Sequence, residues 1–470
     1  MTPHRILETD AYKLSMAEAG WPLREETFYY SHRRGGAQIV PFDAARMVAA
    51  LSPEVRREDL AALEELGYGI GPGARAALAG SVSVRALPMG TWFLPGEPVF
   101  SATGPSARVS WLEPLVLQLH YRIQVATLAL TDQAALASAV GRVTCQRQRE
   151  IVLETLDAVG ATAPPVEVDE EGYYRKVLAT VRELSEIVLD PARIFEVGMR
   201  SASCHEQHVI ALAACRDAGV RRTSNVRAAS ELGLKAVGTM GHEHVQRYGS
   251  DPAAFRSMRD RWPGPSSFLL DTFDTLRSGI PAAFELIRQD PARRDAIRYD
   301  SGDKVAQYRA AVALSREQGI RPVHILEDGF DAAQTRVFEA LRDEVGLPPG
   351  EQLYGYGGTI VAQPPLTRDR VAAVWKLSQS GGAATMKLGD EAGRGKESLP
   401  GRPVLFRRVS GEGPIGIVGQ EGEPPPEGTL LLTASEPRPL QPRIVEVPSR
   451  PALSPETAAL VATHRERWRR

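Results

Sequence analysis

From about residue 187 to residue 374, short apolar runs alternate with longer stretches whose apolar positions recur at helical spacing. Residues 192–197, 236–239, 267–271, 297–300, 322–326 and 352–356 read as strands, and residues 301–318 and 332–345 as helices. That alternation is the rhythm of a βα barrel. Polar residues stand where the apolar runs end. Phe268-Leu269-Leu270, for example, leads into Asp271-Thr272-Phe273-Asp274, a buried strand ending in two carboxylates. In parallel α/β folds the site lies at the carboxyl ends of the strands. Before about residue 140 short strands mix with helices, and residues 110–139 carry a helical pattern. Pro164-Pro165 followed by Asp169-Glu170-Glu171 reads as a turn or exposed insertion. After Trp375 the pattern is of strands and turns, with prolines crowding between Pro424 and Pro455 and no internal repeat.

Composition narrows the picture little. A chain of 470 residues can build two or three packed domains. Lys+Arg is 56 and Asp+Glu is 58, a net charge of 56 − 58 = −2, which supports neither a nucleic-acid nor a membrane surface. The basic end, Arg465 to Arg470, is expected to be a solvated helix end. The 3 cysteines form no Cys-x-x-Cys pair and no disulfide framework is expected. With no signal peptide and no bilayer-length apolar run, a cytoplasmic location is the default.

Chemistry concentrates around one histidine. His242 sits in Gly238-Thr239-Met240-Gly241-His242-Glu243, with Thr223-Ser224-Asn225 before it and Arg298-Tyr299-Asp300-Ser301-Gly302-Asp303 after it. Glycine lets backbone approach a ligand, while hydroxyls, an amide, a guanidinium and carboxylates supply donors and acceptors. Together with Asp10-Ala11-Tyr12-Lys13, Asp271-Thr272-Phe273-Asp274 and Gly355-Tyr356-Gly357-Gly358-Thr359, in this order, these segments resemble the nicotinate phosphoribosyltransferase family. The stretch from Thr91 to Thr127, with Pro95-Gly96-Glu97-Pro98 and Glu113, is similar to the family's amino-terminal region. The resemblance runs to roughly Arg408.

The resemblance implies a type II phosphoribosyltransferase architecture: an irregular α/β barrel packed with an α/β domain formed by the amino-terminal and carboxy-terminal segments. The expected divisions are residues 1–140, 141–375 for the barrel, and 376–470 returning to the first domain. It also implies a reaction in which nicotinate displaces pyrophosphate from phosphoribosyl pyrophosphate, coupled to ATP hydrolysis through a phosphorylated histidine. His242 matches that histidine, with His244 as the competitor. Asp271 matches the carboxylate that orients its ring. Arg298 would face substrate, and Asp300 the ribose or its magnesium. Tyr12, Arg200, Thr223, Ser224 and Asn225 match substrate-binding positions, Tyr12 being the ring donated by a neighbouring subunit of a homodimer. Arg33, Asp328, Gly357, Gly358, Thr359, Lys376, Lys387 and Lys396 match phosphate-binding positions. No motif holds a metal directly; Mg2+ is expected through the substrate phosphates, with ATP as co-substrate and no nucleic-acid or membrane partner.

Plainer readings stand beside each of these. A lone histidine is usually hydrogen-bonded in a core, Asp300, Ser301 and Asp303 can cap a helix, glycine runs are usually turns, and exposed lysines are usually solvated. Amide-using relatives place an aspartate where this chain has Ser224, which favours the acid here. Three positions depart from the family pattern: Val197 where an aromatic platform is usual, Ser201 in place of a second arginine, and Glu327, which puts a charge near the expected phosphate. The alternatives are a phosphoribosyltransferase using nicotinamide or another pyridine acid, and a non-catalytic nucleotide-binding paralogue.

Overall fold

In a computed structural model, which describes residues 4–389, 397–409, 415–432 and 451–469, three strands of one sheet precede the barrel: β1 (Glu25–His32), β2 (Ser83–Ala86) and β3 (Pro98–Pro105). Seven short strands follow: β4 (Ile194–Glu196), β5 (Arg222–Thr223), β6 (Lys235–Ala236), β7 (Ser267–Leu269), β8 (Ala296–Tyr299), β9 (Val323–Leu326) and β10 (Gln352–Tyr356). All seven are parallel, in the order β6-β5-β4-β10-β9-β8-β7. The sheet curls so that its edge strands β6 and β7 face each other. One hydroxyl joins them: Thr239 Oγ1 donates to the Ser267 carbonyl (2.9 Å) and accepts from the Ser267 amide (3.2 Å).

Five of the predicted runs lie on β4, β7, β8, β9 and β10. The sixth, 236–239, shortens to Lys235–Ala236, because the chain then turns through Gly238 at φ +153°, a conformation that excludes most side chains. β5 was not legible: two residues, one of them Arg222, leave no apolar period to read. Helices Lys304–Gln318 and Ala332–Glu344 lie where expected. Residues 110–139 fall in four successive helices, from Ser106–Trp111 to Gln133–Val140. Residues 161–166, around Pro164-Pro165, are irregular and largely exposed as expected, but Asp169-Glu170-Glu171 begins a helix. The Asp169 carboxylate accepts from the Gly172 amide (2.9 Å) and caps helix Glu170–Val188, whose buried Tyr173, Val177, Val181, Leu184 and Val188 form one helical face.

After the barrel, β11 (Ala373–Ser380) and β12 (Ala383–Ala384) return to the first strands. The resulting antiparallel sheet has the order β12-β11-β1-β3-β2, so a strand from late in the chain completes a sheet begun near its start. A third sheet, of β13 (Pro403–Arg408), β14 (Gly416–Gln420), β15 (Thr429–Leu431) and β16 (Ala452–Leu453), has the order β15-β13-β14-β16. Buried Arg247 joins barrel to first sheet, donating to Glu26 Oε1 (2.7 Å) and Oε2 (2.9 Å) on β1. Removing one partner of such a pair costs about 3–5 kcal/mol, because the other stays buried and charged. The last helix, Pro455–Arg469, is more than a solvated end: Trp468 stacks on Phe273 (3.9 Å between centroids) and Arg465 pairs with Glu397. No helix among the described residues is long and apolar enough to cross a membrane.

Candidate active site

A cavity of about 610 Å³ opens at the carboxyl ends of the barrel strands and continues down the barrel interior to Val323 and Leu353. Its size suits a small-molecule site. Loops after β4, β5, β6, β8 and β9 deliver side chains to its wall, and the first sheet contributes Arg33, just past β1, and Lys376 on β11.

His242 is the first residue of helix His242–Tyr248 and faces this cavity. Its entry loop is shaped around Tyr12: a Cβ on Gly238 would stand 2.7 Å from the Tyr12 amide nitrogen, and one on Gly241 3.0 Å from the Tyr12 ring. Lys387 Nζ lies 2.8 Å from His242 Nε2. An ammonium can only donate, so Nε2 accepts, and the ring proton sits on Nδ1, 3.0 Å from Thr272 Oγ1. Asp300 Oδ2, 3.2 Å from Nε2, is placed for the other tautomer. Burial, with the Lys387 charge second, holds the imidazole down to about 4, so the ring is neutral near pH 7. His244 is also buried, but donates to the Ala254 carbonyl (3.1 Å) away from the cavity. That removes it as the competitor.

Asp271 does not orient the ring as expected. Its Oδ1 is 3.7 Å from Nε2, while Oδ2 accepts from Lys387 (3.2 Å) and from Ser301. Thr272 is the residue that fixes Nδ1. Sequence reasoning passed over it because a threonine inside an acidic motif carries no signal of its own. Burial alone would raise the Asp300 carboxyl; His242, Lys387 and Arg298 hold it well below the ordinary range. Atoms of His242, Asp271 and Asp300 lie within 4.8 Å of one another, close enough to hold a cation. The Lys387 ammonium already stands among them, 3.9 Å from Asp300 Oδ2, so the chain supplies this positive charge itself and a resident metal does not fit there. Lys387 is pinned from both sides, its amide on Ser398 Oγ (2.9 Å) and the next two amides on the Thr272 carbonyl (3.2 and 3.1 Å).

Tyr12 lines the cavity of its own chain, and its hydroxyl donates to Glu113 Oε2 (2.7 Å). The ring therefore needs no neighbouring subunit to reach this site, contrary to expectation. Beside it, buried Lys13 bridges Glu113 and Glu243, and Arg200 stands 3.7 Å from Glu113 and 3.9 Å from Asp10. This network was missed: only the Asp10-Ala11-Tyr12-Lys13 motif hinted at it, and nothing local says that a helical lysine is buried. Of Thr223-Ser224-Asn225, only Ser224 lines the cavity, donating to Asp10 Oδ1 (2.6 Å). Thr223 Oγ1 is spent on Glu196 (2.8 Å), and Asn225 caps helix Val226–Leu232 while bonding His208 (2.9 Å). Those two are corrected from ligand groups to structural ones.

Arg298 is held by the Met240 carbonyl (2.8 Å) and lies 3.7 Å from Glu327. Asp328, at φ +58°, also lines the cavity. Asp303 caps helix Lys304–Gln318 through the Ala306 amide (3.0 Å). Burial, reinforced by Lys387 and Arg33, pulls Lys376 down to about 7. Gly357, Gly358 and Thr359 follow β10 outside the cavity lining, and the Thr359 hydroxyl is spent on the Phe330 carbonyl (2.6 Å). Lys396 lies outside the described residues. Val197 leaves one wall unstacked, but Phe195 stands near it on β4, an aromatic the sequence pattern did not single out.

No family model matches the chain. Its relatives do bear on it. A Mycobacterium tuberculosis (strain ATCC 25618 / H37Rv) protein, nicotinate phosphoribosyltransferase pncB2, is 28% identical over 441 residues, covering 91% of this chain and 81% of that protein. The Bos taurus nicotinate phosphoribosyltransferase is 26% identical over 489 residues, covering 94% and 85%. The crystal structure of nicotinate phosphoribosyltransferase from Porphyromonas gingivalis superposes with a TM-score of 0.60 at 19% identity, covering 84% of this chain and 96% of that one. That from Vibrio cholerae gives 0.59 at 19%, covering 85% and 92%. At these identities the structures speak for the fold, an α/β barrel joined to a second α/β unit, as the resemblance implied.

Proposed function

The chain belongs to the nicotinate phosphoribosyltransferase family, and from that premise we propose that it joins nicotinate to phosphoribosyl pyrophosphate, coupled to ATP hydrolysis through His242. The observation that carries this reading is the neutral His242, at a cavity that Lys387, Asp300, Arg200 and Arg298 also line. The nicotinate ring nitrogen attacks the anomeric carbon, and the bond to pyrophosphate breaks with its electron pair. Positive charge grows on the ribose, where the fixed Asp300 carboxylate stabilises it; negative charge grows on pyrophosphate, where Arg33 and Lys376 receive it. Tyr12 and Phe195 offer faces for the pyridine ring, and Arg200 and Arg298 offer charge for its carboxylate.

In the ATP-coupled half, the Nε2 lone pair attacks the γ-phosphorus and ADP leaves. Lys387 donates to the phosphoryl oxygens as it releases the ring nitrogen, Nδ1–H remains on Thr272, and water later cleaves the phosphoimidazole. Mg2+ carried on the substrate phosphates would supply further positive charge beside Arg33 and Lys376. The test incubates purified protein with phosphoribosyl pyrophosphate and nicotinate, with and without ATP, and measures nicotinate mononucleotide and pyrophosphate. Equimolar products, with yield raised by ATP, are expected. No nucleotide from nicotinate under either condition overturns the reading.

A further inference from the structure

The loop after β9 carries Glu327, one of the departures from the family pattern, and its side chain lines the cavity. It lies across Gly355 of β10, where an added Cβ would stand 2.6 Å from Glu327 Cγ, so glycine makes the room. Its Oε2 reaches 3.7 Å from Arg298 Nε inside the cavity, each side chain 13% exposed. Arg298 cannot turn away freely, since its Nη2 is held by the Met240 carbonyl (2.8 Å), and Nε has no hydrogen-bond partner among the described residues. Arg200, Asp300 and Asp328 are the other charges that act on Glu327.

We propose that Glu327 is a specificity-determining residue that ranks pyridine substrates by the charge of the ring substituent, offsetting Arg298 and so disfavouring the acid relative to the neutral amide. The inference rests on the phosphoribosyltransferase reading of this cavity. A ring carboxylate approaching Arg298 meets Glu327 as a like charge in a partly desolvated space. An amide meets both groups with complementary atoms, its carbonyl accepting from Arg298 and its amino group donating to Glu327.

The test compares kcat/KM for nicotinate and for nicotinamide, at saturating phosphoribosyl pyrophosphate, in wild type, Glu327→Gln and Glu327→Ser. Removing the charge by either route should raise the nicotinate-to-nicotinamide ratio by about tenfold or more, the scale of one charged contact. An unchanged or lower ratio in whichever variant folds overturns the assignment. Calorimetry of the two pyridines binding to the same proteins separates this outcome from failure of the enzymatic reading. If nothing is turned over, the ratio of dissociation constants still shows whether Glu327 discriminates, and equal ratios in wild type and variants overturn it.

Discussion

Replacing Lys387 by methionine keeps the length of the side chain and removes its charge, and the result should appear first in the titration of His242. In the wild type the ammonium is 2.8 Å from Nε2, and burial and this charge together hold the imidazole to about 4. At an effective dielectric of about 20, a unit charge at that distance is worth roughly 6 kcal/mol before screening by its neighbours. Even a quarter of that is about 1.5 kcal/mol, or about one pKa unit. The variant also leaves the Asp271 and Asp300 carboxylates, 3.7 and 3.2 Å from Nε2, facing the ring with no cation between them. The imidazole should then titrate about one unit or more above 4. Nuclear magnetic resonance of the histidine ring protons measures this directly. Nicotinate-stimulated ATP hydrolysis at pH 7 should fall by about tenfold or more, from losing the cation that meets the γ-phosphate. The pH dependence of stability should flatten. In the wild type the folded-state value lies below the unfolded one, so this group costs stability as pH falls from about 6.5 to 4. In the variant the gap between the two values narrows, so the loss on acidification is smaller by about 1.4 kcal/mol for each unit of narrowing. A ring that still titrates near 4 in Lys387→Met would show that burial alone sets its state, and would refute the coupling.

His242→Ala should abolish nicotinate-stimulated ATP hydrolysis yet leave slow ATP-independent synthesis, because the groups that serve ribosyl transfer remain; full ATP stimulation in that variant would exclude His242 as the phosphoryl acceptor. Lys376, pulled down to about 7, is charged below that pH and neutral above it, so KM for phosphoribosyl pyrophosphate should rise as pH passes upward through 7. The inflection should vanish in Lys376→Met, and its persistence there would assign it to another group. Ser224→Asp should cut nicotinate efficiency about tenfold, and because Ser224 Oγ is 2.6 Å from Asp10, it should also cost about 1–3 kcal/mol of stability above neutral pH. Two carboxylates in contact have raised pKa values when folded, so the melting temperature should recover as acidification returns a shared proton and fall again as pH rises; a loss that does not depend on pH would mean that steric strain, not charge, is at work.

The barrel was legible in the sequence, and so were the motifs that the fold gathers around His242. Strands such as Gln352–Tyr356 are apolar runs between polar ends, helices such as Ala332–Glu344 repeat at 3.6 residues, and these periods are set by local backbone geometry. His242, Asp300 and Lys387 were legible because their motifs occur in a fixed order along the chain. What each side chain does was decided only in three dimensions. Thr223, Ser224 and Asn225 are consecutive, yet one faces the cavity while the others satisfy Glu196, His208 and a helix terminus, since a strand end turning into a helix points its neighbours in different directions. Lys13 is buried because Glu113 and Glu243, 100 and 230 residues away (113 − 13 and 243 − 13), arrive on either side of it, and no local pattern encodes such a meeting. Glu327 lies against Arg298, and β10 offers a glycine that makes room for it. Periodicity fixes which face of an element is apolar. Where a charge goes depends on the partners that other elements bring, since burying it unpaired costs several kcal/mol or more and distant residues supply the pair.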